Sequence, residues 1–182
     1  MRIARARTRR IVIAYLLCIL AAVPACGSSA PSNGQSPAQP EPCTLLTRPI
    51  AAQISGDARV TNQATNVAEM ESGYVACIYA DATNEANSVA VQIKSAPGRV
   101  TPAALQAAAA FFSAGEPVQP FQPFPVVGIG DDAIGASTPG VAFIVFSHGG
   151  ALVFVGADST SRSASSLQAG VETLARRVAA AI

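Results

Sequence analysis

The sequence predicts an α+β domain with a mainly antiparallel sheet, a short N-terminal helix, a central helix and a long C-terminal amphipathic helix. Three observations carry this expectation. Short apolar or alternating runs come in pairs, each pair joined by a brief polar or Gly-rich segment, which is the pattern of hairpins. Two other segments place their apolar residues on one helical side. The segments follow one another as helix, strands, helix, strands, helix.

Taken in chain order, Thr47 can cap a short helix with Pro49 in its early turn. Ile50, Ala51 and Ile54 form its apolar stripe, and Gly56 is its stop. Gly73–Ala80 and Ser88–Lys94 read as strands. In the second, Val89, Val91 and Ile93 alternate with Ala90, Gln92 and Lys94, and the polar stretch Asp81–Asn87 between the runs makes the pair a hairpin. Thr101-Pro102 opens the central helix and Gly115 closes it, with Leu105, Ala108, Ala109 and Phe112 facing the core. Val141–Ser147 and Ala151–Gly156 are apolar on both sides and flank His148-Gly149-Gly150, so they form a central hairpin covered on both faces. The last helix runs from about Ser163 to Ala181. Leu167, Val171, Leu174 and Val178 lie on one side, and Arg176-Arg177 stand near its negative end.

A length of 182 residues allows one ordinary domain plus extensions. The net charge of +1 conceals a segregation. Arg2, Arg5, Arg7, Arg9 and Arg10 lie in the first ten residues, and the next charge is Glu41. From Cys26 onward there are seven bases against eleven acids, a net of −4. Phosphate recognition needs clustered cations, so nucleic acid is not an expected partner.

The arginines are followed by the uncharged stretch Ile11–Ala25, fifteen residues long. A spanning helix needs roughly 20 apolar residues. The run therefore fits the apolar region of a signal peptide better than a membrane span. Val23-Pro24-Ala25-Cys26-Gly27 resembles a bacterial lipobox. That resemblance implies cleavage before Cys26, diacylglycerol on its sulfur and acylation (palmitate-type) of its new amine. Anchoring then rests on acyl chains, at ~0.8 kcal/mol per buried CH₂, rather than on attraction to anionic headgroups. Gly27–Pro42 holds four Pro, four Ser, two Gly and no large apolar residue, so it cannot bury enough surface to offset its ordering entropy and reads as a tether. The expected organisation is 1–25 signal peptide, 26–42 lipidated Cys26 and flexible tether, and 43–182 one globular domain.

Cys43 and Cys77 are the cysteines that remain after Cys26. In an exported chain they permit a single intramolecular pairing, and a structural disulfide is favoured over a reactive thiol, which would need a CxxC motif or a histidine partner.

Pro42-Cys43-Thr44-Leu45-Leu46-Thr47, then Cys77, then Gly128-Ile129-Gly130-Asp131-Asp132-Ala133 and a closing amphipathic helix stand in the order seen in one family. Over residues 42–182 the chain resembles a domain-of-unknown-function family of actinobacterial, largely mycobacterial, cell-envelope lipoproteins. The resemblance implies a domain anchored at the outer face of the membrane, and it brings no activity with it.

Candidate chemistry is sparse. His148 is the sole histidine and sits in a Gly-rich turn, so a Ser-His-Asp hydrolase would have to use it. One His without a free Cys cannot supply the usual nitrogen and sulfur ligands, and no metal or other cofactor is expected. Gly128–Ala133 matches G-x-G-x-x-A in form. However, a Pro-rich segment precedes it and no helix follows, so a turn entering a strand is expected, with Asp131 and Asp132 solvated rather than gripping Ca²⁺. Val118–Pro125 repeats Gln-Pro-Phe and sets Phe121 and Phe124 three apart, on one edge of a polyproline II helix. They are the candidate lip for an apolar ligand or protein partner, against the plainer reading of a strap sealing the core. The functional expectation is a non-enzymatic binding or accessory module of the envelope. A lipid or glycolipid carrier is the alternative, because all seven phenylalanines lie between Phe111 and Phe154. A hydrolase is the third reading.

Overall fold

Two prolines open two short helices in a computed structural model of the protein, which describes residues 41–63, 74–95, 100–101, 103 and 121–182. Contacts divide the chain at Ser36 and Pro37, and every described residue belongs to the unit Pro37–Ile182. The predicted signal peptide, Cys26, the predicted tether up to residue 40 and nearly all of the predicted central helix from Thr101 to Gly115 lie outside the described residues.

Helix α1 is Pro42–Leu45, one turn that the sequence reading, which starts its first helix at Thr47, did not include. Helix α2 is Arg48–Ser55, with Thr47 extended at its N-cap and Pro49 in the first turn, where a missing N–H costs nothing. Gly56 stops it as predicted. Its φ is 75°, a left-handed conformation that glycine adopts without strain, and its N–H donates to the Ala52 carbonyl. Thr47 does not cap through its hydroxyl.

The strands are β1 (Thr61–Asn62), β2 (Tyr74–Asp81), β3 (Asn84–Ser95), β4 (Gln122–Phe124), β5 (Asp132–Thr138), β6 (Val141–His148) and β7 (Ala151–Asp158). They form one seven-stranded sheet in the order β1-β2-β3-β7-β6-β5-β4, with every neighbouring pair antiparallel. Helix α3, Ala164–Ala179, follows. The mainly antiparallel α+β class expected from the sequence is therefore the observed one.

The β2–β3 connection differs from the expected seven-residue turn. Strand β2 continues to Asp81 and β3 begins at Asn84, leaving Ala82-Thr83 as the turn. The Asp81 side chain tightens it, since Oδ1 accepts from both the backbone N–H and the hydroxyl of Thr83 at 2.8 Å. The register shifts between Ala80 and Asp81, which places the polar residues after Asn84 in an irregular strand end rather than in a loop. The β6–β7 hairpin is as expected. Gly149 and Gly150 turn it at φ 57° and 79°, and β7 stands at the middle of the sheet.

Alternation along the strands produces two buried faces. On the helix face, Val89, Val91, Ile93, Ile144, Phe146, Val153 and Val155 pack with Leu167, Val171, Leu174 and Val178 of α3 and with Ala51 and Ile54 of α2. Helices α2 and α3 approach closely because Gly170 has no side chain, and a Cβ there would press on Ile54. Ser163 caps α3 by accepting from the Ser166 N–H at 3.2 Å. On the second face, Ala136, Phe143, Val145 and Phe154 cluster with Val100, and Phe143 is fully buried. One outer edge of the sheet is β4, whose middle residue is Pro123.

Cys43, the second residue of α1, is bonded to Cys77 in the middle of β2, as the sequence predicts. The S–S distance is 2.10 Å and the Cα atoms are 5.0 Å apart. Cys77 is 1% exposed and belongs to the helix-face core.

Candidate functional site

Polar groups gather where α2, the β2–β3 turn and the loop from β7 to α3 meet. Asp57, just past Gly56, receives the Arg59 backbone N–H at 2.9 Å, the Arg59 guanidinium at 3.1 Å on each oxygen and Asn87 Nδ2 at 2.8 Å. Arg59 Nη2 also reaches Asp81 Oδ2 at 2.8 Å, so one guanidinium is shared by two buried carboxylates. The Arg59 side chain, its backbone N–H and Asn87 hold the Asp57 carboxyl well below the usual carboxylate range, against the opposing effect of burial. The same carboxylate raises Arg59. Ser159 Oγ donates to the Ser55 carbonyl at 2.6 Å, and the Thr160 N–H donates to Asn87 Oδ1 at 3.0 Å. Asp81 Oδ2 is buried and has the Arg59 ion pair but no hydrogen bond among the described residues, and the evident work of the junction is to fasten three loops. Sequence reading passed over it, because Asp57-x-Arg59 looks like any charged loop until Asp81 and Asn87 are brought beside it.

The opposite end of the sheet holds the predicted Gly128–Ala133 segment. Gly128 and Gly130 take φ 70° and 60°, Ile129 is buried, and the Asp131 N–H donates to the Ser147 carbonyl at 2.7 Å. Asp132 then begins β5, so the segment is a turn entering a strand, as expected, and presents no helix N-terminus to a phosphate. Arg176 fixes it from α3, donating to the Val127 carbonyl at 2.8 Å and to the Gly128 carbonyl at 3.3 Å.

This turn brings Asp131 to His148, with Nδ1 and Oδ1 3.4 Å apart. The carboxylate stands beside the imidazole, as the acid of a hydrolytic triad does, but does not hydrogen-bond it. Among the described residues no hydroxyl is hydrogen-bonded to the ring, and Nδ1 itself, though shielded from solvent, has no hydrogen-bond partner. Among those residues no group of three His, Cys, Asp or Glu side chains could hold a metal ion.

Phe121 and Phe124 are not brought together. Expected on one edge of a polyproline helix, they stand at and within β4, where a spacing of three sends them to opposite faces. Phe121 meets Phe143 edge-to-face at 4.9 Å on the second face. Phe124 packs on the helix-face core and lies over Gly135, its cross-strand partner, where a Cβ would collide with the ring. Pairing with β5 is what makes this stretch extended and alternating.

The second face holds two polar groups that sequence reading did not single out as functional. Gln92 is 7% exposed, and its Nε2 has no hydrogen-bond partner among the described residues. It lies between Ala76 and Phe154 in the register. Asp158, at the end of β7 between Ser88 and Val141, has its carboxyl pushed up to about 7 by burial. Toward the other end of β3, burial also raises Tyr74 of β2, and Lys94 Nζ stands 5.0 Å over its ring. An alternating strand does not reveal which of its polar residues lacks a partner, so neither group could be picked out beforehand.

No family model matches this chain, and no curated protein matches it either. Among the described residues no helix is long and apolar enough to cross a membrane.

Proposed function

We propose that the protein is an exported lipoprotein, anchored through acyl chains on Cys26 at the outer face of the cell membrane, whose α+β domain acts as a non-enzymatic binding or accessory module. The observation that carries this reading is the Cys43–Cys77 bond. A buried disulfide is a feature of oxidising, extracytoplasmic compartments, and this one closes immediately after the Pro/Ser-rich stretch that follows the lipobox-like segment. The domain begins where the tether ends, so a signal peptide, an anchor and a leash account for the whole N-terminal portion. In this reading the helix predicted from Thr101 to Gly115 completes the domain. Replacing Cys26 with Ala should release the protein into the soluble fraction of intact cells or into the medium. Undiminished recovery with membranes overturns the anchor.

A second reading is favoured by the second face of the sheet. It is built from phenylalanines and small residues and carries a buried amide donor, Gln92 Nε2, with no partner among the described residues. An apolar ligand with one acceptor oxygen, such as a lipid or glycolipid, matches that combination. Native mass spectrometry of protein purified from its own envelope distinguishes the two readings: a retained lipid mass supports the carrier, and its absence supports the accessory module.

A further inference from the structure

Within the anchored reading, any pull on the domain arrives through residue 41, two positions before Cys43. The elements that follow are individually weak. Helix α1 has four residues, α2 has eight and β1 has two. Isolated helices shorter than about 12–15 residues are marginal in water, so this segment depends on its attachments to the body. Leu45, Leu46, Ala51, Ile54 and Val60 pack it into the helix-face core, β1 pairs with β2, and Arg59 reaches Asp81; the remaining attachments are separate contacts. Arg162 donates to the Gln53 carbonyl at 2.8 Å, Ser159 to the Ser55 carbonyl at 2.6 Å, Asn87 to Asp57 at 2.8 Å, and Ile54 seats against Gly170. A pull entering from the N-terminal side would load them one after another.

The disulfide alters that path. It joins Cys43 to Cys77, 34 positions along the chain, and encloses α2, β1 and all of α1 but Pro42 in a covalent loop. Cys77 lies in the middle of a strand paired with β3 from Tyr74 to Ala80, and β3 is paired in turn with central β7. We propose that the Cys43–Cys77 bond is a load shunt: tension from the membrane tether passes directly into β2, and residues 44–76 carry none of it. The anchored domain thereby keeps α2 and the Asp57–Arg59–Asp81 junction seated while its leash is taut.

Single-molecule pulling of residues 27–182, the span that contains every described element, through handles at the two ends tests this. With the bond intact, rupture occurs without an earlier step assigned to residues 44–76. After reduction with dithiothreitol at low holding force, a separate step at lower force should precede rupture of the sheet. It should lengthen the chain by about 110–120 Å, which is 34 residues at roughly 3.3–3.6 Å each. A reduced protein that ruptures in one event at the oxidised force overturns the proposal. So does loss of the whole fold on reduction at zero force, because the bond would then be holding the domain together rather than diverting a load. Membrane release of the Cys26→Ala protein is scored independently, so failure of the anchor and failure of the shunt are separate results.

Discussion

At Gly130 the backbone is left-handed, with φ 60°, and a Cβ would run into the Ser147 carbonyl and the Phe146 ring. Two independent demands therefore fall on one residue, and Gly130→Ala should cost ~1–3 kcal/mol, read as a lowered urea midpoint with unchanged slope. Asp158 poses the reverse case. Its folded-state pKa of about 7 lies above the ordinary carboxylate value, so the folded protein keeps a proton that the unfolded chain gives up. The contribution of Asp158 to stability is thus greatest below about pH 4, declines as pH rises toward 7 and is level above that. Asp158→Asn should remove the decline. Allowing for solvent screening of a partly exposed carboxyl, it should gain ~1–2 kcal/mol at pH 8 and almost nothing at pH 4, measured by urea unfolding at both. Asp57 has the opposite sign. Its carboxyl is held low by Arg59, so its contribution is present above the ordinary carboxylate pKa and fades as pH falls toward the depressed value.

The disulfide and the hairpins show what a single sequence can specify about elements. Double replacement of Cys43 and Cys77 by Ala should cost ~3–4 kcal/mol from the freed loop entropy, and thermal unfolding of the oxidised and variant proteins checks it. Both cysteines, Gly56 as a stop, Gly149-Gly150 as a turn and the stripe of α3 were legible because each rule involved is local: one αL position, one two-residue turn, one 3.6-residue period. The misreadings share a cause as well. Asp81–Asn87 has loop composition, yet a two-residue turn clasped by Asp81 draws the later residues into β3. Phe121 and Phe124 look co-directional only if the stretch stays polyproline-like, and cross-strand pairing with β5 turns the spacing of three into opposite faces. The Asp57–Arg59–Asp81 junction was wholly illegible, since it exists only after residues far apart in the chain have met.

For the whole molecule, the proposed lipoprotein reading assigns charge and attachment to different parts of the chain. The full sequence has a pI near 7.7, but removal of the proposed arginine-rich leader would leave a net of −4. Isoelectric focusing of protein isolated from the envelope should therefore place it well on the acidic side, and a neutral position would mean that the leader is retained. Lipid-anchored domains are also confined to a plane, where neighbours collide far more often than in solution at the same copy number. A strand edge open to pairing would be hazardous there. At the middle of β4's outer rim Pro123 has no N–H to offer, and β4 itself is only three residues long. That rim gives an adjacent molecule little to register against, so crowding on a two-dimensional surface need not become polymerisation through this side of the sheet.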